Sequence, residues 1–171
     1  QYNPSNPNFS QYLTRTFNKD HLVLKTLTPL IDDESMLGTP KGNRLIDLMI
    51  HNGKRHYVLS KLLPYAPDSI IMEYSQQQMN WVENNEMEMW SHFAKEDLFF
   101  ETDNSKIRKL VQPSPNSPGM PPEAPGRTAN WVGWQIVKSF MRKNSDYSLK
   151  ALLDEKDAQF ILDKSKYKPK R

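Results

Sequence analysis

Residues 44–64 read RLIDLMIHNGKRHYVLSKLLP, and this stretch decides the fold class. Leu45, Leu48, Met49, Asn52, His56 and Leu59 recur at spacings of three and four, the period of one helix face rather than of a strand. Thr39 followed by Pro40 supplies a cap and first-turn pair upstream, and Pro64 ends the segment. Outward from it the same signature repeats. Asn18 opens a segment with Leu24, Leu27 and Ile31 on one face, which Pro29 is expected to kink or end near Thr28. Ser75 is expected to cap a long helix to about Lys95, with Met79, Val82, Glu86, Met89 or Trp90, and Phe93 inward. A short helix is predicted over 105–111, with Ile107, Leu110 and Val111 as its apolar contacts. Thr128 then caps a helix with Ala129, Gly133 and Val137 aligned, stopping at Asn144. Ser148 starts Leu149, Leu152 and Leu153, and a last stretch carries Ala158, Ile161 and Leu162. At the N-terminus Asn6 and Pro7 precede a stripe of Phe9, Tyr12, Leu13 and Thr16. The reading is a mainly α, single-core helical domain over 1–171 with little or no β, since the runs at 70–72 and 99–102 are too short to set the class. Gly133 costs about 1 kcal/mol against Ala inside a helix, so its expected use is close backbone approach.

Composition narrows the function classes. With 171 residues, 37% apolar, 13 Pro and no Cys, the chain has enough material for one core and excludes a disulfide scaffold, a thiol nucleophile and a Cys-type zinc site. No run approaches the roughly 18 apolar residues of a membrane span. Lys and Arg number 23 against 20 Asp and Glu, but residues 164–171, KSKYKPKR, hold five of the bases, leaving 18 against 20 elsewhere. The basic character therefore belongs to a tail expected to be solvated, and no broad basic face for nucleic acid is indicated. Between Gln112 and Arg127 prolines stand at 113, 115, 118, 121, 122 and 125. Such a run forms neither a helix nor an interior strand, and reads as an extended surface loop or, more sharply, as a loop that docks a partner.

The chemistry-bearing residues are few. HExxH is absent, and so are Gly-rich phosphate loops and the GxSxG and SxxK patterns around Ser60, Ser75, Ser91 and Ser139. His51 and His56 are five apart, about 140° of net rotation on a helix, so they do not share a face. His56, Glu86 and His92 are the weak candidates for a metal site assembled from two helices, and no cofactor is expected. Glu86 is an acid on an apolar stripe, with Arg127 as a candidate partner. Trp81 with Trp90, and Trp131 with Trp134, form two pairs read as aromatic packing between helices, with a partner-binding patch as the competing reading.

Three strings carry a resemblance: Gly-Lys-x-x-Tyr at 53–57, Asn-Glu-x-Glu-x-Trp at 85–90, and PGRTANWVGWQIV at 125–137, followed by SLKALL and SKYKPK. In order, over about 12–170, they resemble the C-terminal part of the GldB family of gliding-motility-associated lipoproteins of Bacteroidota. The resemblance implies a longer protein whose N-terminal Cys, outside this chain, carries a lipid anchor. It implies a cell-envelope location, in the periplasm or at the outer membrane, and an association with gliding or the type IX secretion machinery. That family is distantly similar to HExxH metallopeptidase-like proteins, in which a later helix supplies a Glu ligand. Asn52 stands at the matching position here, a far weaker zinc ligand. The expected function is accordingly non-enzymatic: a degenerate metallopeptidase-like helical domain that contacts a protein partner in the envelope, with Glu86, Arg127, Trp131 and Trp134 as partner-binding or buried polar residues. The alternative is a zinc-dependent hydrolase whose HExxH lies outside this chain.

Overall fold

The computed structural model describes residue 10 and residues 14–170, so most of the expected N-terminal stripe lies outside the described residues. Its elements are α1 (Leu22–Ile31), α2 (Leu45–Leu62), α3 (Asp68–Met72), α4 (Gln76–Asn84), α5 (Glu86–Lys95), α6 (Asn104–Val111), α7 (Thr128–Lys143), α8 (Leu149–Asp154) and α9 (Ala158–Ser165). Short 3-10 turns precede α1 and follow α5, and no strand occurs among the described residues.

The centre of the fold is the crossing of α2 with α7, against which α9, α6 and α1 pack. Two glycines make it possible. A Cβ built on Gly133 would collide with the backbone of Met49, and one built on Gly53 with the backbone of Gly133. Gly133 serves the close approach expected of it, and Gly53 is its counterpart on the facing helix. Because α2 is enclosed on most sides, it buries His51, Asn52, Lys54 and His56 along with its apolar residues. Trp134, Phe93, Phe140, Ile46 and Leu59 are among the fully buried side chains around the crossing.

Four boundaries differ from expectation, each for a local reason. First, α2 begins at Leu45 rather than at Pro40. Gly38 has φ +60°, and the Asp47 carboxylate reaches back to accept from the Arg44 N–H at 3.1 Å, which fixes the first turn five residues later. Second, α1 runs to Ile31 through Pro29, since the proline sits in the last turn and little helix follows it to be disrupted. Third, the helix expected from Ser75 to Lys95 is two helices. Asn85 (φ −120°, ψ 25°) turns its side-chain N–H onto the Trp81 carbonyl at 2.7 Å, and this competing bond breaks the ladder just before Glu86. Trp81 and Trp90 thus lie on separate helices, and Trp90 packs on Phe99 and Tyr167 with centroids at 4.8 and 5.3 Å. Fourth, the residue before α7 is Arg127 in the left-handed region (φ 66°), and Thr128 is the first residue of the helix.

The caps at Ser75, Asp103, Ser148 and Asp157 each accept from a backbone N–H of the first turn. The basic tail departs from a freely solvated segment. Its lysine side chains are exposed, but its backbone turns at Lys166 (φ 45°) and docks: Ser139 donates to the Ser165 carbonyl at 2.9 Å and Lys143 to the Lys166 carbonyl at 3.0 Å.

Candidate functional site: an anchored proline loop beside a buried polar seam

Residues 112–127 leave α6 and return to the start of α7. Prolines 113, 115, 118, 121 and 122 are exposed, whereas Ser117, Ala124, Pro125 and Gly126 are buried. The buried set anchors the loop. Ser117 donates to the Pro125 carbonyl at 2.7 Å and shares a 2.8 Å hydrogen bond with Thr128, while its own N–H reaches the Ala124 carbonyl. Ser114 holds the carbonyls of Lys109 and Asn116, both at 3.0 Å. Gly119, at φ +74°, lies flat against the His92 ring, where a side chain would collide. A chain already restricted by proline is therefore fixed at both ends and in the middle, with its apolar rings directed outward.

Arg127 closes the loop. Its guanidinium pairs with the Glu73 carboxylate at 3.0 Å, donates to the Met72 carbonyl at 2.7 Å and lies over the Tyr74 ring. The Tyr74 hydroxyl in turn donates to the Gly126 carbonyl at 2.7 Å. Lys25 joins from the other side as a second ion pair to Glu73. Burial works to raise the Glu73 carboxyl, but Arg127 and Lys25 outweigh it and hold that group down at about 2. The expected pairing of Arg127 with Glu86 is therefore not what forms. Glu73 was missed because it sits at the left-handed end of the five-residue helix α3, where no periodicity marks it.

Glu86 is 3% exposed and serves a different purpose. One of its carboxylate oxygens accepts from the Tyr167 hydroxyl at 2.7 Å and from the Lys170 backbone N–H at 3.1 Å, so the acid pins the C-terminal tail to α5. Burial, reinforced by that carboxylate, pushes the Tyr167 phenol up and keeps it a donor.

The remaining residues singled out in the sequence line the α2–α7 seam or its margin. Asn52 donates to Asn130 at 2.9 Å, and Asn130 donates to the Val111 carbonyl at 2.9 Å, tying α2, α7 and α6 together. His56 lies edge-on to Trp134 with centroids 5.9 Å apart, and neither of its ring nitrogens has a hydrogen-bond partner. Burial lowers it to about 3, so it is neutral. Trp131 and Trp134 are 3% and 0% exposed and meet edge to face, so both indoles are core aromatics. Lys138 spans the rim, paired with Asp68 at 2.8 Å and placed over the Trp134 ring at 3.6 Å. His56, Glu86 and His92 are not brought together: the first faces Trp134, the second the tail and the third Gly119. Among the described residues no three His, Cys, Asp or Glu side chains converge as a metal site.

A smaller polar cluster lies on the other flank of α2. Lys54 donates to the carbonyls of Leu153 and Glu155, and burial, with Lys156 nearby, lowers it to about 8. His51, lowered to about 4 mainly by burial, lines a small crevice with Lys54 and Lys156.

These features define an all-helical domain whose polar interior locks a proline-rich surface loop and a basic C-terminal strap in place. The family described as gliding motility protein GldB matches residues 1–169, and the chain belongs to that family. It is thereby one of the gliding-motility lipoproteins, a lipid-anchored protein of the cell envelope. Among the described residues no helix is long and apolar enough to cross a membrane. No curated protein and no solved structure matches the chain.

Proposed function

We propose that this domain is a non-enzymatic adaptor that uses the loop at 112–127 to contact a protein of the gliding or type IX secretion machinery, held in the periplasm or at the outer membrane by a lipid anchor on a longer N-terminal part. The observation that supports it is the anchored loop: five exposed prolines, at 113, 115, 118, 121 and 122, carried on a backbone fixed by Ser117, Ala124 and Arg127. Proline rings present apolar area at low entropic cost, and a segment ordered beforehand loses little further freedom on binding. Arg127 and Glu73 act as the clamp at the base of this surface.

The reading is tested by replacing Pro115, Pro118 and Pro121 together with Ser in the full-length lipoprotein. The substituted positions are exposed, so the melting temperature is expected to stay within a few degrees of the parent. Gliding or surface secretion in a strain that carries only this variant is expected to fall to the level of the deletion. Full complementation by a folded variant would remove the loop from the function.

A further inference from the structure

A second surface lies at the far end of α7, where the strapped tail returns. There a cleft of about 830 Å³ opens between the last turns of α7, Glu86 and the tail. Six cations line it: Lys138, Arg142 and Lys143 from α7, and Lys166, Lys168 and Lys170 from the tail. Of these only Lys138 is in an ion pair among the described residues, with Asp68. Arg142 and Lys143 complement the carbonyl end of the helix they terminate, as cations at a helix C-terminus commonly do. That account does not extend to the tail lysines. They are brought to the same place by a separate device, the buried Glu86 carboxylate that holds the Tyr167 hydroxyl and the Lys170 N–H. Collecting unpaired like charges is unfavourable in the free protein and raises the local concentration of anions. A further feature points to a ligand: the Gln135 side-chain nitrogen is buried on the wall of this cleft without a hydrogen-bond partner. A buried donor without a partner calls for an explanation, and an acceptor entering the cleft is one.

We infer that this cleft binds a phosphate-bearing anion of more than one phosphate charge, taken between the ends of Arg142, Lys168 and Lys170 with Gln135 as a neutral donor. The cations belong to two adjoining segments and surround a pocket rather than tracking along the surface, which suits a compact anion better than a nucleic-acid strand. Its volume exceeds what a lone phosphate needs and admits a diphosphate or the headgroup of a phosphorylated lipid. The neutral donors of Tyr167 and Lys170 do not cancel the Glu86 charge, but the six cations outnumber this one carboxylate around the cleft.

The test uses two probes on the full chain: inorganic pyrophosphate by titration calorimetry, and phosphatidylcholine vesicles with or without phosphatidic acid, a lipid phosphomonoester, by co-sedimentation. Arg142→Gln, Lys168→Gln and Lys170→Gln together are expected to weaken binding about tenfold or more, whereas Lys61→Gln, Lys95→Gln and Lys109→Gln, an equal charge change elsewhere, leave it within about twofold. Gln135→Met preserves every charge and is expected to weaken pyrophosphate binding several-fold at unchanged thermal stability, which keeps the inference testable should the triple variant unfold. Pyrophosphate binding without vesicle binding identifies a soluble ligand. Binding to phosphatidic acid vesicles that pyrophosphate displaces identifies a headgroup. Binding to neither probe, or equal losses in the cleft and control triples, overturns the inference.

Discussion

Arg127 ties three segments together with one side chain: the end of α3 through Met72 and Glu73, the aromatic wall through Tyr74, and the base of the proline loop. It does so from a backbone conformation that costs a non-glycine residue roughly 1–2 kcal/mol. Two substitutions separate these effects. Arg127→Ala keeps the backbone strain and strands Glu73 with Lys25 alone, so it is expected to destabilise by about 2–4 kcal/mol in urea unfolding. Arg127→Gly loses the same contacts but relaxes the backbone, and is expected to be less destabilised than the Ala variant by about 1 kcal/mol. A Gly variant less stable than the Ala variant would show that the left-handed turn is not what the native chain holds.

His56 supplies the second prediction at this scale. Its folded value near 3 lies below the usual 6.5 because burial disfavours the imidazolium, so between those values the unfolded chain binds the extra proton. Stability is therefore retained above about pH 6.5 and lost as pH falls toward 3, with a slope approaching about 1.4 kcal/mol per pH unit where one proton is taken up on unfolding. His51 adds to the same loss down to about 4, and Glu73 extends it from 4.5 toward 2. The His56→Leu variant is expected to show a shallower decline between pH 6 and 4 when unfolding midpoints are compared across pH. Parallel profiles for the two proteins would mean that His56 is protonated in the folded state.

At the scale of elements, the α2–α7 crossing makes a prediction whose sign distinguishes packing from propensity. Helix propensity alone would have Gly133→Ala stabilise by about 1 kcal/mol. The added methyl instead meets the Met49 backbone, which cannot rotate away, so the expected outcome is a loss of about 3 kcal/mol or more in thermal or urea unfolding. Gly53→Ala, facing Gly133, should behave alike, and a stabilised Gly133→Ala protein would mean that the two helices are further apart than this crossing places them. This crossing also shows what the sequence made legible. The apolar rows of α2 and α7 and the caps at Ser75 and Ser148 were readable because they follow local rules of period and hydrogen bonding. Gly133 stood out as a glycine inside a helical pattern. The split at Asn85 was hidden, since a single side-chain bond to Trp81 decides it inside an otherwise continuous apolar stripe. Glu73 and Tyr167, the partners of Arg127 and Glu86, were illegible for a further reason. Each is more than 50 residues from the group it contacts, and no local pattern encodes such a pairing.

For the molecule as a whole, several of the polar residues inside the core hold surface segments, while others join helix to helix. The Ser117–Thr128 pair and Arg127 fix the proline loop, and Glu86 fixes the tail. An isolated bundle of this size needs neither device to bury its core. On the proposed function these rigid surfaces are what a partner would meet, and the family assignment puts the chain itself in the cell envelope. The most direct measurement is site-specific photo-crosslinking in living cells, with the photoreactive residue placed at Pro118 in the loop and, as a reference, at Lys95 on α5. The account predicts a discrete protein adduct from Pro118 that is absent from Lys95 and lost when Arg127 is replaced by Ala. Equal adducts from both positions, or none from Pro118 in a protein that is folded and functional, would contradict it.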